Sequence, residues 1–176
     1  MKIPARQKHF APAPSNRHWH SAADEFATVP ESTMSSSQAF ATGAEAVVRR
    51  LELAVNAHDI DAIVGCFALS YRNETPAHPS RSFTGREQVR RNWVQILGGV
   101  PDIQAQIIDL AVSGARVWSE WEHRGVRRDG STHLMRGVVI FTVTGGEIDH
   151  ATFYLEPVAH DESTVDTAVR LHVGAP

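Results

Sequence analysis

Three side chains of the 176-residue sequence, His123, Tyr71 and Asn73, are of types that can carry out acid–base chemistry on a small molecule. Imidazole titrates near neutrality, so His123 could give or take a proton during enolisation or aldol chemistry. The hydroxyl of Tyr71 and the amide of Asn73 could hydrogen-bond an oxyanion or a carbonyl. A structural interpretation stays open for each: His123 as a hydrogen-bonded strand residue, and Tyr71 and Asn73 as the end of a short strand.

Other reactive side chains have a simpler explanation. Glu74 and His78 lie beside a proline-containing loop and could form a second acid–base pair, although a solvated loop explains them more simply. A metal site built from Glu74, His78 and His123 has no diagnostic spacing. Cys66 is expected to be a small buried residue rather than a nucleophile. We therefore predict no metal ion and no cofactor.

Composition narrows the class of protein. A formal net charge of −3 argues against a general nucleic-acid binder, which needs a basic face. No apolar run approaches the roughly 20 residues needed to span a bilayer, and the basic N-terminus lacks the apolar core of a secretory signal. A single cysteine fits a reducing cytoplasm. These features predict a soluble cytoplasmic protein that binds neither nucleic acid nor membrane.

Three segments follow from the pattern along the chain. Residues 1–40 are rich in Pro, Ser, Ala and His and bury too little to offset their ordering entropy, so they are predicted to form a flexible arm. Met34 also resembles a start of translation, which would leave residues 1–33 out of the native protein. Residues 41–158 form the predicted domain, and residues 159–176 a polar C-terminal tail.

Three helices are predicted in the first half of the domain. Thr42 and Glu45 form a capping box before a helix that ends near His58. Asp59 is a good N-cap for a short second helix that holds Cys66 and Phe67. A third helix is predicted at about residues 86–97, ended by two glycines.

Strands dominate the second half. A short extended piece at residues 69–75 precedes the third helix, and a strand is predicted after Pro101. Three long strands follow at about residues 115–125, 132–144 and 147–156. Tight turns at Asp129-Gly130 and Gly145-Gly146 connect them. Helices that precede an antiparallel sheet predict an α+β domain.

At this point the sequence resembles a known family. The segments AHDIDAIVGCF, SFTGREQVRRNW, WSEWEHRGVRRDG and MRGVVIFTVTGGEIDHATFYLEPV are similar to those of a SnoaL-like member of the nuclear transport factor 2-like superfamily, over roughly residues 42–158. The resemblance implies a cone: a curved antiparallel sheet wrapped around a pocket that three N-terminal helices close. Members include polyketide cyclases, ketosteroid isomerases, limonene epoxide hydrolases and non-catalytic binding or assembly domains, so the fold alone does not give the function.

Strand alternation then predicts which side chains face that pocket. Charged residues belong outside, so Trp121 and His123 are assigned to the interior, and Arg136 to the outer face beside Glu120 or Glu122. A bulge would exchange the two faces. The predicted ligand-binding residues are Trp93, on the third helix, together with Trp121, Met135, Val139, Phe141 and Phe153, and Gly137, Ala151 and Leu155 are predicted to face inwards with them.

The catalytic patterns of the superfamily fit only in part. Its epoxide hydrolases use two aspartates linked by an arginine, with a tyrosine and an asparagine that match Tyr71 and Asn73. The three charged positions correspond to Trp121, His123 and Phe153, so that route would lack its base. Ketosteroid isomerases place an aspartate base before the loop proline, where this sequence has Thr75.

The resemblance therefore predicts a cofactor-independent acid–base isomerase, cyclase or lyase. Its substrate would be a small hydrophobic molecule that is carbonyl-bearing or polycyclic. The alternative is a non-catalytic ligand-binding or assembly domain. A homodimer is predicted through the outer sheet face, where Trp118, Val138 and Ile140 would supply apolar contacts.

Overall fold

The structure is a computed structural model, and it describes residues 31–159 and 163–174 of the chain. Four α-helices are α1 (Glu31–Asn56), α2 (Ile60–Val64), α3 (Arg86–Gly99) and α4 (Val165–Val173). Most of the predicted arm lies outside the described residues, although residues 31–40 are helical and belong to α1. None of the helices in the described ranges is long and apolar enough to cross a membrane.

The helix boundaries correct two predictions. Helix α1 begins at Glu31 and not at Thr42, because after Pro30 no glycine or proline interrupts the chain before Gly43. Asp59 does cap α2, and its carboxylate accepts from the amide of Ala62 at 2.9 Å. Helix α2 ends after five residues, so Phe67 begins a strand instead of continuing the helix.

Six strands form one curved sheet: β1 (Phe67–Glu74), β2 (Phe83–Thr84), β3 (Gln104–Ser113), β4 (Arg116–Val126), β5 (Thr132–Thr144) and β6 (Glu147–Pro157). Their order is β2-β1-β6-β5-β4-β3. The predicted meander and the α+β class are confirmed. The sheet is antiparallel except where β1 runs parallel to β6. The sequence has no local turn that would predict this pairing.

Curvature comes from irregularities at defined places. Register shifts occur in β3 between Ile107 and Asp109 and in β5 between Thr142 and Val143. Gly137 has a φ of 150°, and a Cβ there would stand 2.0 Å from the carbonyl oxygen of Tyr154. Only glycine fits, and β5 and β6 can approach closely at this point.

The hydrophobic core lies between the concave face of the sheet and the helices. Helix α1 supplies Val48, Leu51 and Val55, which are buried against Val117 of β4 and Ile148 of β6 in the same cluster. Full burial of one such side chain stabilises the fold by about 1.5–3 kcal/mol.

Helix α4 lies in the predicted polar tail, where the sequence analysis placed no element. Thr164 caps it by accepting from the amide of Thr167 at 3.3 Å, and Gly174 ends it with a φ of 67°. A capping threonine, a valine at every fourth position and a final glycine were the available signals. Its valines at 165, 169 and 173 are exposed.

Candidate functional site

One cavity of about 410 Å³ lies between the concave face of the sheet and helices α1 and α3. All nine side chains predicted for the site line it. They are Tyr71 and Asn73 of β1, Trp93 of α3, Trp121 and His123 of β4, Met135, Val139 and Phe141 of β5, and Phe153 of β6. The volume lies in the usual range for small-molecule sites.

The register between neighbouring strands brings these residues together. Val139 stands opposite Phe153, and His123 stands opposite Met135, so neighbouring strands bring inward-facing residues side by side. Trp121 stands opposite Gly137, where no side chain competes for the space. Leu155, also predicted to face inwards, lines the cavity with them, whereas Gly137 and Ala151 do not, and Ala151 is buried in the core.

Aromatic rings make this wall rigid. The indole nitrogen of Trp121 donates to the hydroxyl of Ser119 at 2.8 Å, and that hydroxyl donates to the carbonyl of Val139 at 2.9 Å. The Trp121 ring stands edge-on to Phe141 at 6.3 Å, and Phe141 stands edge-on to Phe153 at 6.4 Å. Such edge-to-face pairs fix ring positions as well as burying area.

His123 is a polar group inside this aromatic wall. Its ring centroid lies 5.7 Å from that of Trp121 and 6.4 Å from that of Trp93. Its ring nitrogens make no hydrogen bond with any residue in the described ranges. Burial, assisted by nearby His133, lowers the pKa of His123 to about 4. At neutral pH the imidazole is therefore uncharged, with one nitrogen that can accept a proton.

A second polar group lies on β1. The Asn73 amide donates to the Tyr71 hydroxyl at 3.3 Å, and the Thr75 hydroxyl donates to the Asn73 carbonyl at 3.2 Å. Burial raises the pKa of Tyr71, and the hydrogen bond from Asn73 opposes this in part. Tyr71 therefore stays protonated at physiological pH. Since its oxygen is the acceptor towards Asn73, its own proton is left to donate elsewhere.

Glu74 and His78, for which a solvated loop was the simpler expectation, do not form an acid–base pair. Glu74 points to the outer face of β1, where it lies 2.9 Å from Arg72 and 3.3 Å from His150. His78 instead lies 3.2 Å from Glu156 at the cavity rim, which Arg81 approaches to 3.7 Å. Within residues 31–159 and 163–174, no group of three or more His, Cys, Asp or Glu side chains is arranged to hold a metal ion.

Asn92 is a cavity residue that the sequence analysis missed. It lies on the same face of α3 as Val89, Trp93 and Ile96, which follow one another at intervals of three or four residues and also line the cavity. A polar residue inside an apolar helical stripe is a signal that could have been used.

The outer face of the sheet is organised differently. The Arg136 Nε atom donates to Glu122 Oε2 at 2.7 Å, which confirms one of the two predicted pairings. Of the residues predicted for a dimer interface, Trp118 is 46% exposed, whereas Ile140 is only 6% exposed. Tyr154, which was not predicted there, is 47% exposed on the same face.

Comparison with known proteins agrees with this geometry. A family model described as the SnoaL-like domain matches residues 47–151. No curated protein sequence matches the chain.

Three solved structures share the fold. A Catenulispora acidiphila protein with a ketosteroid isomerase-like fold, in complex with trimethylamine, is 17% identical, with 70% of this chain and 92% of that chain covered and a TM-score of 0.52. A SnoaL-like protein of unknown function from Burkholderia thailandensis is 22% identical, with 67% and 96% covered and a TM-score of 0.51. An LEH-like epoxide hydrolase from M. tuberculosis is 17% identical, with 76% and 98% covered and a TM-score of 0.58. At these identities the likeness shows the fold alone.

Proposed function

The chain belongs to the family of SnoaL-like domains, within the nuclear transport factor 2-like superfamily, and on that premise we propose that it is a cofactor-independent acid–base enzyme. It would bind a small hydrophobic, carbonyl-bearing or polycyclic substrate and act as an isomerase, cyclase or lyase. Isomerases, cyclases and epoxide hydrolases occur in this fold family, so the family alone does not select the reaction.

One observation carries the proposal: an uncharged imidazole and a phenol with a free proton line the same apolar cavity. A neutral imidazole can take a proton, and a phenol can hydrogen-bond an oxygen on which negative charge develops. Low dielectric surroundings strengthen both interactions. A purely structural wall would have no need of either group.

The chemical step follows from these two roles. His123 takes a proton from the carbon next to a carbonyl, and the electrons of the broken C–H bond move into an enolate. Tyr71 donates its hydrogen bond to the enolate oxygen, and Asn73 holds the phenol in place by donating to it. The imidazolium returns its proton to a different carbon or to a leaving group. Burial disfavours the imidazolium, and the enolate opposite it offsets that cost.

Epoxide hydrolysis by the route of the superfamily is less well supported. Trp121, His123 and Phe153 stand where the resemblance would require the charged triad. In the described part of the chain, the carboxylate that lines the cavity is Glu156, and it is already engaged by His78 and Arg81 at the rim. Among the described residues the centre of the cavity therefore holds no carboxylate to act as the base of that route.

A ligand screen followed by one pair of variants tests the proposal. Steroids, aromatic polyketides, terpenoid epoxides and simple enones would be compared by thermal shift. A ligand at 100 times its Kd adds about 2.7 kcal/mol, which moves the Tm by several degrees. For a compound that is turned over, His123→Gln should lower the rate about 10²-fold or more. His150→Gln, on the outer face, is the matched control and should leave the rate unchanged. Equal rates for both variants would remove His123 from the mechanism.

A second candidate function is a non-catalytic, dimeric binding or assembly domain. It is favoured by the exposure of Trp118 and Tyr154 on the outer sheet face, where Arg116 lies 5.5 Å from the Trp118 ring centroid. Sedimentation velocity at micromolar concentration would give a dimer whose population falls for Trp118→Glu. A wild-type monomer at that concentration would contradict this interface. We also propose that the protein works in the cytoplasm, because its single cysteine, Cys66, cannot form an internal disulfide, which fits a reducing compartment.

A further inference from the structure

The orientation of the Asn92 amide determines what kind of oxygen or nitrogen the cavity can recognise. Asn92 lines the cavity from α3, across from the strands that carry His123 and Tyr71. An amide has a donor end and an acceptor end, which electron density rarely distinguishes. Here the neighbouring side chains decide which end is free.

A chain of three side chains on α3 imposes one orientation. Arg91 carries only donors, and its guanidinium Nε and Nη2 atoms both bond the Gln88 side-chain oxygen, Nε at 3.1 Å. The Gln88 nitrogen must therefore face the other way, and it donates to Asn92 Oδ1 at 2.8 Å. With its oxygen engaged, Asn92 has its Nδ2 group left to donate. Residues three and four apart on a helix are neighbours, which makes this arrangement local to α3.

The cavity consequently presents donors on two sides. Tyr71 offers its free proton on β1, and Asn92 offers its amide hydrogens on α3. One nitrogen of His123 is an acceptor, and the proposed reaction uses it for the transferred proton. A ligand hydroxyl beside Asn92 could accept but would leave its own hydrogen without a partner in apolar surroundings, which is costly.

We propose that Asn92 is a ligand-binding residue that donates to a second acceptor oxygen of the substrate, and that Gln88 is the residue that positions it. The substrate class is then an apolar molecule with two acceptor oxygens, such as a diketone, one carbonyl bound by Tyr71 and the other by Asn92. This inference rests on the proposed function, because it assumes that the cavity holds a carbonyl compound.

Three probes on one skeleton test the inference in the wild-type protein. They are a steroid diketone, the corresponding hydroxyketone and the corresponding monoketone, with Kd values measured by quenching of tryptophan fluorescence. The diketone should bind about two- to tenfold more tightly than either of the others, the range expected for one neutral hydrogen bond. Asn92→Leu should abolish this preference, so that the diketone binds no more tightly than the monoketone. Gln95→Leu, exposed on the same helix, is the matched control.

Gln88→Glu provides a sharper test, because it changes no cavity atom. The introduced carboxylate has no donor, so it accepts from Arg91 and can interact with Asn92 only by accepting from its amide nitrogen. The Asn92 amide must therefore turn and present its oxygen to the cavity. The preference should then reverse, with the hydroxyketone binding more tightly than the diketone. A role of Gln88 in helix stability alone would weaken all three probes equally.

The outcomes separate the two proposals. Equal binding of the three probes to the wild type, or an unchanged preference in Gln88→Glu, would overturn the inference and leave the proposed function standing. Failure of all three probes to bind at concentrations far above those of other hydrophobic ligands would overturn both.

Discussion

The two faces of the sheet are built from the same strands but differ in whether their polar side chains have partners within the protein. On the outer face of β4, Glu122 is paired with Arg136 of β5, and on the outer face of β1 Glu74 is paired with Arg72. On the concave face of the same strands, His123 has no hydrogen-bond partner among the described residues, and Tyr71 keeps a free proton. The outer carboxylates are thus neutralised within the protein, whereas these two concave-face groups keep an unused acceptor and an unused donor.

The first way to sharpen this comparison is a pair of aromatic truncations. Phe141→Ala removes a side chain that is 2% exposed and joins the core to the cavity wall, and we expect a loss of about 3–5 kcal/mol in the free energy of unfolding. Trp118→Ala, on the outer face, should cost less than about 1 kcal/mol, since half of its surface is already in water. Urea denaturation measures both. Similar losses would mean that the outer face is packed as tightly as the inner one.

The second test uses pH. Because the pKa of His123 falls from 6.5 to about 4 on folding, the unfolded state binds more protons between these values. Stability is therefore full above pH 6.5 and is lost as the pH falls through about 4. At about 1.4 kcal/mol for each pKa unit, the loss amounts to about 3 kcal/mol. Urea unfolding from pH 7.5 down to pH 4 would measure it.

The control for that experiment is His123→Gln, which should flatten the pH dependence by the same amount. If the wild type and His123→Gln lose stability in parallel, His123 is not held in the uncharged form.

The smallest expected effect concerns the ion pair of the outer face. A double-mutant cycle with Glu122→Gln and Arg136→Gln should give a coupling of about 1 kcal/mol, because Glu122 is buried while the Arg136 side chain is 63% exposed and screened by water. The helical pair Glu45 and Arg49, exposed at both ends, should give about 0.3–0.5 kcal/mol. A coupling for the sheet pair no larger than for the helical pair would show that burial of Glu122 adds nothing.

The inward face of the sheet could be predicted from the sequence because strand alternation has a period of two. Once Glu120 and Arg136 are assigned to the solvent-exposed face, alternation leaves only the concave face for Trp121, Val139 and the residues two positions away from them. The tight turns then set the register between β4, β5 and β6. Residues two apart on a strand are hence the most predictable part of the site.

Features that depend on distant parts of the chain could not be predicted in this way. The parallel pairing of β1 with β6, and the direction in which Glu74 points, depend on contacts between opposite ends of the domain. The start of α1 at Glu31 was missed because weak apolar periodicity does not forbid a helix. The orientation of the Asn92 amide depends on the hydrogen bonds of Gln88 and Arg91, which a residue pattern does not contain.

The parallel pairing of β1 with β6 has a consequence for how the protein folds. Asn73 pairs with Ala151, so Tyr71 and its proton are held in place by β6, which is synthesised after strands β1–β5. Contacts between such distant segments carry a large loop-closure cost and form slowly. We therefore expect a nascent chain that lacks β6 to form helices α1, α2 and α3 and most of its sheet, but to have no binding competence. A ligand of this cavity would then rescue slow-folding variants only after synthesis is complete.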